Sequence, residues 1–256
     1  MNISSSKITA VIPVFNQWSL TAKCLLSIFK SVPRELIKII IVDNASTDET
    51  CSGIEKLISL GYPIDVIYNE ENLGYLLAAN QGWAEADTDY VLHMNNDVTV
   101  ESGCIMEMLK VMGKYPRVGV CGGIEGHPEV LGKTMFRRGA DLWKYQDYRF
   151  LVPMTEEEKV ADYVEVETTG FACAMIRKSV SDRIGFYDTI FVPCMSEQES
   201  YNLSVIESGY KVTVSPRARY IHKVGATTGA IDSMYFKDVI TKNIKKFKEK
   251  WRDVLV

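Results

Sequence analysis

Apolar and polar positions come in alternating blocks along the first half of the chain. KITAVIPVF (7–15) is almost continuously apolar and rich in β-branched residues, the pattern of a strand buried on both faces. Leu20, Cys24, Leu25, Ile28 and Phe29 then recur at helical spacing and predict a helix over 17–31. The cycle repeats three times. Strands are predicted at 36–44, 64–70 and 89–97, and helices at 46–60, 74–86 and 101–115. Regular strand–helix alternation implies an α/β fold with a mostly parallel sheet flanked by helices on both faces. The polar clusters sit where strands end: DNASTD (43–48), NEENLG (69–74) and NND (95–97). Sheets of this kind take their ligands at that edge.

The second half is less regular. Strands are predicted at 118–123, over the long run DYVEVETTGFACAMIRK (162–178) and at 210–222. Helices are predicted at 178–185, 196–209 and 233–251. The stretch 126–153 is long and mixes Lys133, Arg137, Arg138, Lys144 and Arg149 with Phe136, Trp143, Tyr145 and Tyr148. It reads either as a solvated hairpin or as a wall that shapes an acceptor site. With no repeat, linker or low-complexity segment, the chain reads as one domain over 1–256. A nucleotide-binding half (1–125) is followed by an acceptor and catalytic half (126–231) and a basic C-terminal helix (232–256). Ile244, Phe247 and Trp251 share one face of that helix, which packs on the domain or lies on a membrane surface.

Composition changes this picture little. The chain has 256 residues, 46% hydrophobic and 24% charged, with a net charge of −4. That balance is ordinary for a globular protein and gives no electrostatic argument for nucleic acid. The six cysteines form no C-x-x-C pair and several lie in apolar runs, so free thiols are expected. No apolar run reaches the roughly 20 residues needed to cross a bilayer. The expected location is cytoplasmic, with peripheral contact at the inner face of the membrane as the alternative for the last helix.

The strand tips carry the candidate chemistry. Ser46 or Thr47 reads as a cap for the helix that follows, which leaves Asp43 and Asn44 unexplained at the tip. They suit either a turn or acceptance from a base N–H or ribose hydroxyl. Asn72-Leu73-Gly74 lets the backbone approach a ligand at a helix start, because glycine has no Cβ. Asn80 lies on a helix otherwise full of Leu and Ala, either on a solvated face or turned toward a ribose or phosphate. No G-x-G-x-x-G or P-loop follows the first strand, so nicotinamide and P-loop readings fail. VIPVFNQW likewise lacks the basic, Gly-rich loop of a nucleotidyltransferase.

VIPVFNQ, IIIVDNASTD, NLGYLLAANQG, HMNNDV, TGFACAMIRK, SEQES…SGY and PRARYIH, in this order, resemble the family 2 glycosyltransferases with the GT-A fold. The likeness spans nearly the whole chain and is least clear over 126–153. It implies a nucleoside-diphosphate sugar lying across the strand ends, with a UDP-sugar as the first expectation. Pro13, Asn16 and Asp43 would surround the base, with Asn44 beside them. Asn72, Gly74 and Asn80 would lie near the base, ribose or diphosphate. Asn95, Asn96 and Asp97 occupy the place of the family's D-x-D signature. Here the first acid is Asn, so Asp97 is the expected ligand to Mn2+ or Mg2+. His222 matches a position that often supplies a further metal ligand, whereas a lone histidine in an apolar strand would otherwise read as structural.

The family's base lies in an acidic pair at the start of a late helix. Glu197 falls on its Glu and Gln198 on its Asp, and Gln cannot accept the proton. Either Glu197 or Glu199 must then serve as the base; Ser196 and Glu199 fit the S-x-x-E capping box, a structural role for Glu199 that leaves Glu197 the preferred base. The helix N-terminus is expected to keep either carboxylate ionised. The implied activity is metal-assisted, inverting sugar transfer to a hydroxyl acceptor, a glycan or lipid-linked oligosaccharide first. The alternatives are a nucleotide-sugar-binding protein with impaired catalysis, motivated by Asn95 and Gln198, and a transferase acting on nucleic acid or protein.

Overall fold

The computed structural model describes residues 7–126, 155–223 and 233–254. The aromatic and basic stretch expected near the acceptor lies almost wholly outside the described residues. Three βα units open the fold: β1 (Ile8–Val14), α1 (Trp18–Ser31), β2 (Ile37–Asp43), α2 (Thr50–Ser59), β3 (Ile64–Tyr68) and α3 (Tyr75–Ala84). Next come β4 (Tyr90–Met94), β5 (Val98–Val100), α4 (Cys104–Lys114) and β6 (Val118–Gly126). Then follow α5 (Glu156–Val160), β7 (Val164–Glu165), β8 (Cys173–Arg177), α6 (Lys178–Ile184), α7 (Glu197–Glu207), β9 (Lys211–His222) and α8 (Ser233–Lys250).

The strands form one sheet in the order β3-β2-β1-β4-β8-β6-β9-β5, with β7 also paired to β9. β1, β2, β3, β4, β6 and β9 run one way and β5, β7 and β8 the other. Both faces are covered, which explains why the central strands lack polar alternation. In β1, Ile8, Ala10 and Ile12 pack with Leu25 and Ile28 of α1 and Met108 of α4, while Val11 packs with Trp83 of α3 on the other face. All six cysteines are free thiols. Among the described residues no helix is long and apolar enough to cross a membrane.

Two strand expectations need correction. The run 162–178 is not one strand. It breaks after Glu165, and Asn202 holds the break by donating to Thr168 Oγ1 and Thr169 O at 2.9 and 3.0 Å. The second piece, β8, runs antiparallel between β4 and β6. β5 was not expected as a separate strand; its three residues pair antiparallel with the end of β9 and set Val98 opposite His222.

The capping expectation at α2 also fails. Ser46 and Thr47 lie ahead of the helix, and Asp48 Oδ1 instead accepts from Thr50 N at 3.0 Å. Ser46 Oγ accepts from Asn16 N at 2.7 Å and ties two strand-end loops together.

Candidate active site

The tips of β1, β2 and β3 are aligned by register, Val14 against Asp43 and Asp43 against Tyr68. Asp43 is 1% exposed. Its Oδ2 accepts from Ser46 N at 3.1 Å and the Cys51 thiol at 3.5 Å, whereas Oδ1 is buried with no partner among the described residues. A buried carboxylate oxygen without a donor is costly unless a ligand supplies one. Pro13 is buried in β1 opposite Val42, one position before this tip.

Several amides expected to meet the nucleotide are bonded to neighbouring loops. Asn16 Oδ1 accepts from Thr47 N and Asp48 N at 2.7 and 3.3 Å, with the backbone in the left-handed region at φ 56°. Asn44 donates to Gly74 O at 3.3 Å and accepts from Asn69 at 2.8 Å. Asn69 in turn exchanges two 2.9 Å bonds with Gln81. Asn80 exchanges two bonds with the backbone of Tyr187, at 2.8 and 3.0 Å. Asn96 turns inward and donates to Thr21 at 3.0 Å. Both amide atoms of Asn44 and Asn80 are thus bonded within the protein, as buried or half-buried amides generally are. Asn72 and Gly74 stay at the surface of the cleft. Asn72 Oδ1 accepts from Gly74 N at 2.9 Å, in a turn that needs Gly74 at φ 85°.

Asn95 and Asp97 end up beside His222 because β4 leads straight into β5, and β5 pairs with β9. His222 Nε2 lies 3.1 Å from Asp97 Oδ1 and 3.4 Å from Asn95 Nδ2, and His222 Nδ1 lies 3.7 Å from Glu125 Oε1. Burial works against the imidazolium, but the Asp97 and Glu125 carboxylates outweigh it and lift the His222 pKa to about 9. Asn95 Oδ1 is buried and has no partner among the described residues.

This donor set fits a divalent cation. Two ligands at about 2.1 Å and right angles stand about 3 Å apart, close to the spacing of Asp97 and His222. The unpaired amide oxygen of Asn95 is a third candidate. Among the described residues no group of three or more His, Cys, Asp or Glu side chains is placed to hold a metal ion. Glu125 was missed from the sequence. It carries the same signal as Asp97, an acid at the end of an apolar strand.

Glu197 opens α7 and is 3% exposed. Its Oε1 accepts from Gln198 Nε2 at 3.4 Å, while Oε2 is buried with no partner among the described residues. Burial and the Glu199 charge push its pKa up to about 7, against the backbone N–H groups that lower it. The expectation that the helix N-terminus keeps this carboxylate fully ionised is therefore corrected, because desolvation wins. The capping box is corrected too. Ser196 makes no side-chain cap, and both Met195 and Ser196 adopt positive φ, at 77° and 71°. Such conformations cost about 1–3 kcal/mol each and concentrate at functional sites. Gln198 is a framework residue whose Oε1 accepts from Phe171 N at 2.9 Å. Glu199 is half-buried beside Glu197.

A neutral histidine sits under this site. His93 is fully buried and its pKa falls to about 3 by desolvation. Trp83 Nε1 donates to His93 Nδ1 at 3.0 Å, so the imidazole proton resides on Nε2 and is donated to Tyr75 Oη at 2.6 Å. The sequence signal was a histidine inside an otherwise apolar strand.

Comparison with known proteins bears on the family and the fold. The Glycosyl transferase family 2 model matches residues 9–185, more than half of the chain. The poly-beta-1,6-N-acetyl-D-glucosamine synthase of Staphylococcus aureus (strain COL) is 25% identical over 88% of this chain, which spans 52% of that protein. The O-antigen biosynthesis protein RfbC of Myxococcus xanthus is 23% identical over 88% of this chain, which spans 18% of that protein. The chain thus spans about half or less of the length of these curated relatives. The crystal structure of GalNAc-T7 with UDP, GalNAc and Mn2+ superposes with a TM-score of 0.76 at 17% identity, covering 97% of this chain and 49% of that one. With the GT-A fold shared across nearly its whole described length and the family pattern matched over most of the sheet, the chain belongs to glycosyl transferase family 2.

Proposed function

We propose that this chain is a glycosyltransferase that moves a sugar from a nucleoside-diphosphate donor to a hydroxyl of a glycan or lipid-linked glycan. The observation that carries the reading is Glu197. A carboxylate with one buried unpaired oxygen and a pKa of about 7 is a base able to take a proton from an alcohol at neutral pH. The crystallised relative with UDP and Mn2+ supports a UDP-sugar as the first donor to try.

In this reading the donor base lies at the β1 and β2 tips, where Asp43 Oδ1 accepts from a base N–H or ribose hydroxyl. The Asn72–Gly74 turn brings backbone close to the ribose or diphosphate. Asp97, His222 and the Asn95 amide oxygen hold the divalent cation, Mn2+ or Mg2+. A cation bound there supplies positive charge against the leaving diphosphate. Glu197 orients the acceptor hydroxyl and removes its proton as the new bond forms, with inversion at the anomeric carbon. Gln198, spent on the Phe171 backbone, takes no part in proton transfer. The impaired-catalysis alternative, motivated by Asn95 and Gln198, predicts donor binding without turnover.

The test is a thermal-shift screen of nucleotide sugars with and without Mn2+. A donor that binds only the folded state raises its stability by mass action. A shift for a donor that depends on Mn2+ supports the reading, and the absence of a shift with every donor overturns it.

A further inference from the structure

Helix α8 grips the chain on both sides of Glu197. Asn243, 1% exposed, donates through Nδ2 to Phe191 O and to Cys194 O, both at 2.7 Å. Lys246 Nζ reaches Ile190 O at 2.6 Å. Beyond Glu197, Lys250 Nζ and Trp251 Nε1 reach Ser200 Oγ at 3.1 and 3.0 Å. Between Cys194 and Glu197 stand only Met195 and Ser196, the two residues held at positive φ. Conformations of that kind persist only where their surroundings over-determine them. Asn243 is the one of these contacts that is itself fully buried and that lands directly on the carbonyl preceding the strained pair. The family match ends at residue 185, so both Glu197 and Asn243 lie beyond it.

We propose that Asn243 is a positioning residue for Glu197: by fixing Cys194 O and Phe191 O it holds the left-handed turn that seats the carboxylate in its buried niche. The inference rests on Glu197 as the base, and α8 then contributes to catalysis as well as to stability. Val239, Phe247 and Trp251 supply the apolar anchoring of the same helix. That anchoring separates packing from positioning.

Glu197 is faced by Glu199 and Gln198 on its own helix, by Cys194 ahead of it, and by Tyr75 and Tyr187 from α3 and the segment after α6. Losing the Asn243 bonds leaves two carbonyls that must find water, so the turn relaxes and the niche hydrates. The experiment follows the Glu197 carboxyl by 13C NMR across pH in the full chain, together with calorimetry of UDP plus Mn2+. Asn243→Leu is expected to lower the Glu197 midpoint from near 7 by about one pH unit or more. UDP binding should stay within about two-fold. Val239→Ala, which loosens α8 while keeping the Asn243 amide, is expected to lower the melting temperature and leave the Glu197 midpoint in place. Asn243→Gln, which keeps the amide donor, is expected to restore part of the shift. Should Asn243→Leu fail to fold, Asn243→Ser reads the same shift, since one short hydroxyl cannot span both carbonyls. An unmoved midpoint in the Asn243 variants, or an equal shift in Val239→Ala, overturns the proposal. If Glu197→Gln keeps sugar transfer while Asn243→Leu still moves the midpoint, the seat stands and the base assignment falls.

Discussion

His222 Nε2 lies 3.1 Å from Asp97 Oδ1, although the two residues are separated by most of the second half of the chain. The three-residue strand β5 is responsible, since it sets Val98 directly opposite His222 on β9. The pair is stable without a cation because the imidazolium is salt-bridged to Asp97 and close to Glu125. A cation held by Asp97 and His222 would require His222 to be neutral.

Removing the carboxylate should therefore abolish the cation site. Asp97→Ala is expected to weaken Mn2+-dependent binding of UDP by more than about 100-fold, since even supporting groups around a metal cost 10–100-fold. Asn95→Asp adds the second acid and is expected to tighten it. Calorimetry of UDP with and without Mn2+ measures both, and equal affinities in Asp97→Ala and the native protein would sink the assignment.

The base makes a kinetic prediction. Glu197→Gln should lower kcat by about 10²–10⁴-fold and leave KM for the donor within a few-fold, as expected when a group acts only in proton transfer. Because the ionised carboxylate is the active form and its pKa is about 7, kcat should rise with pH through neutrality and level off above it. A flat profile from pH 5 to 8 would contradict the assignment.

The same shift has a stability consequence. The folded-state pKa of Glu197, about 7, lies above its ordinary value of 4.5, so the folded protein holds this proton more tightly than the unfolded chain does. The group favours folding least at high pH, where the buried carboxylate must ionise. The penalty grows as pH rises from about 4.5 to 7 and is on the order of 3 kcal/mol above that window. Glu197→Gln is thus expected to melt several degrees higher than the native protein at pH 8 and only about 2–3 degrees higher at pH 5. Denaturation scans at the two pH values check this, and equal melting temperatures at pH 8 would mean that the niche is wetter than described.

Gly82 tests how tightly α3 sits on the sheet. A Cβ there would collide with Val11 Cγ1 and stand 3.1 Å from Val42 Cγ2. Gly82→Ala gains helix propensity but must push α3 away from β1 and β2, so a net loss of about 1–3 kcal/mol is expected by denaturant titration. A gain in stability would show that the helix can shift freely.

The sheet, its flanking helices and the polar strand tips were legible in the sequence because buried parallel strands leave long apolar runs and their ends leave polar clusters. Asp43 and Asp97 stood out as charges where apolar runs stop, and Glu197 through its place in the family's acidic pair. The framework roles of Asn16, Asn44, Asn80 and Asn96 were not legible, because an amide at a strand tip looks the same whether it bonds a ligand or Thr47, Gly74, Tyr187 or Thr21. β5 was hidden by its length of three residues, too short for periodicity to register. The pairing of Asn243 with Cys194 spans 49 positions, and nothing local marks a contact between segments so far apart. The left-handed turn at Met195 and Ser196 carries no glycine to announce it.

The most direct measurement of the central claim is release of nucleoside diphosphate from a panel of nucleotide sugars with Mn2+, run side by side on the native protein and Glu197→Gln, with candidate glycan acceptors present. The reading predicts that a donor, UDP-sugars first, is turned over by the native protein and that turnover falls about 100-fold or more in the variant. Equal turnover in the two proteins, or none with any donor in the native protein, would contradict it.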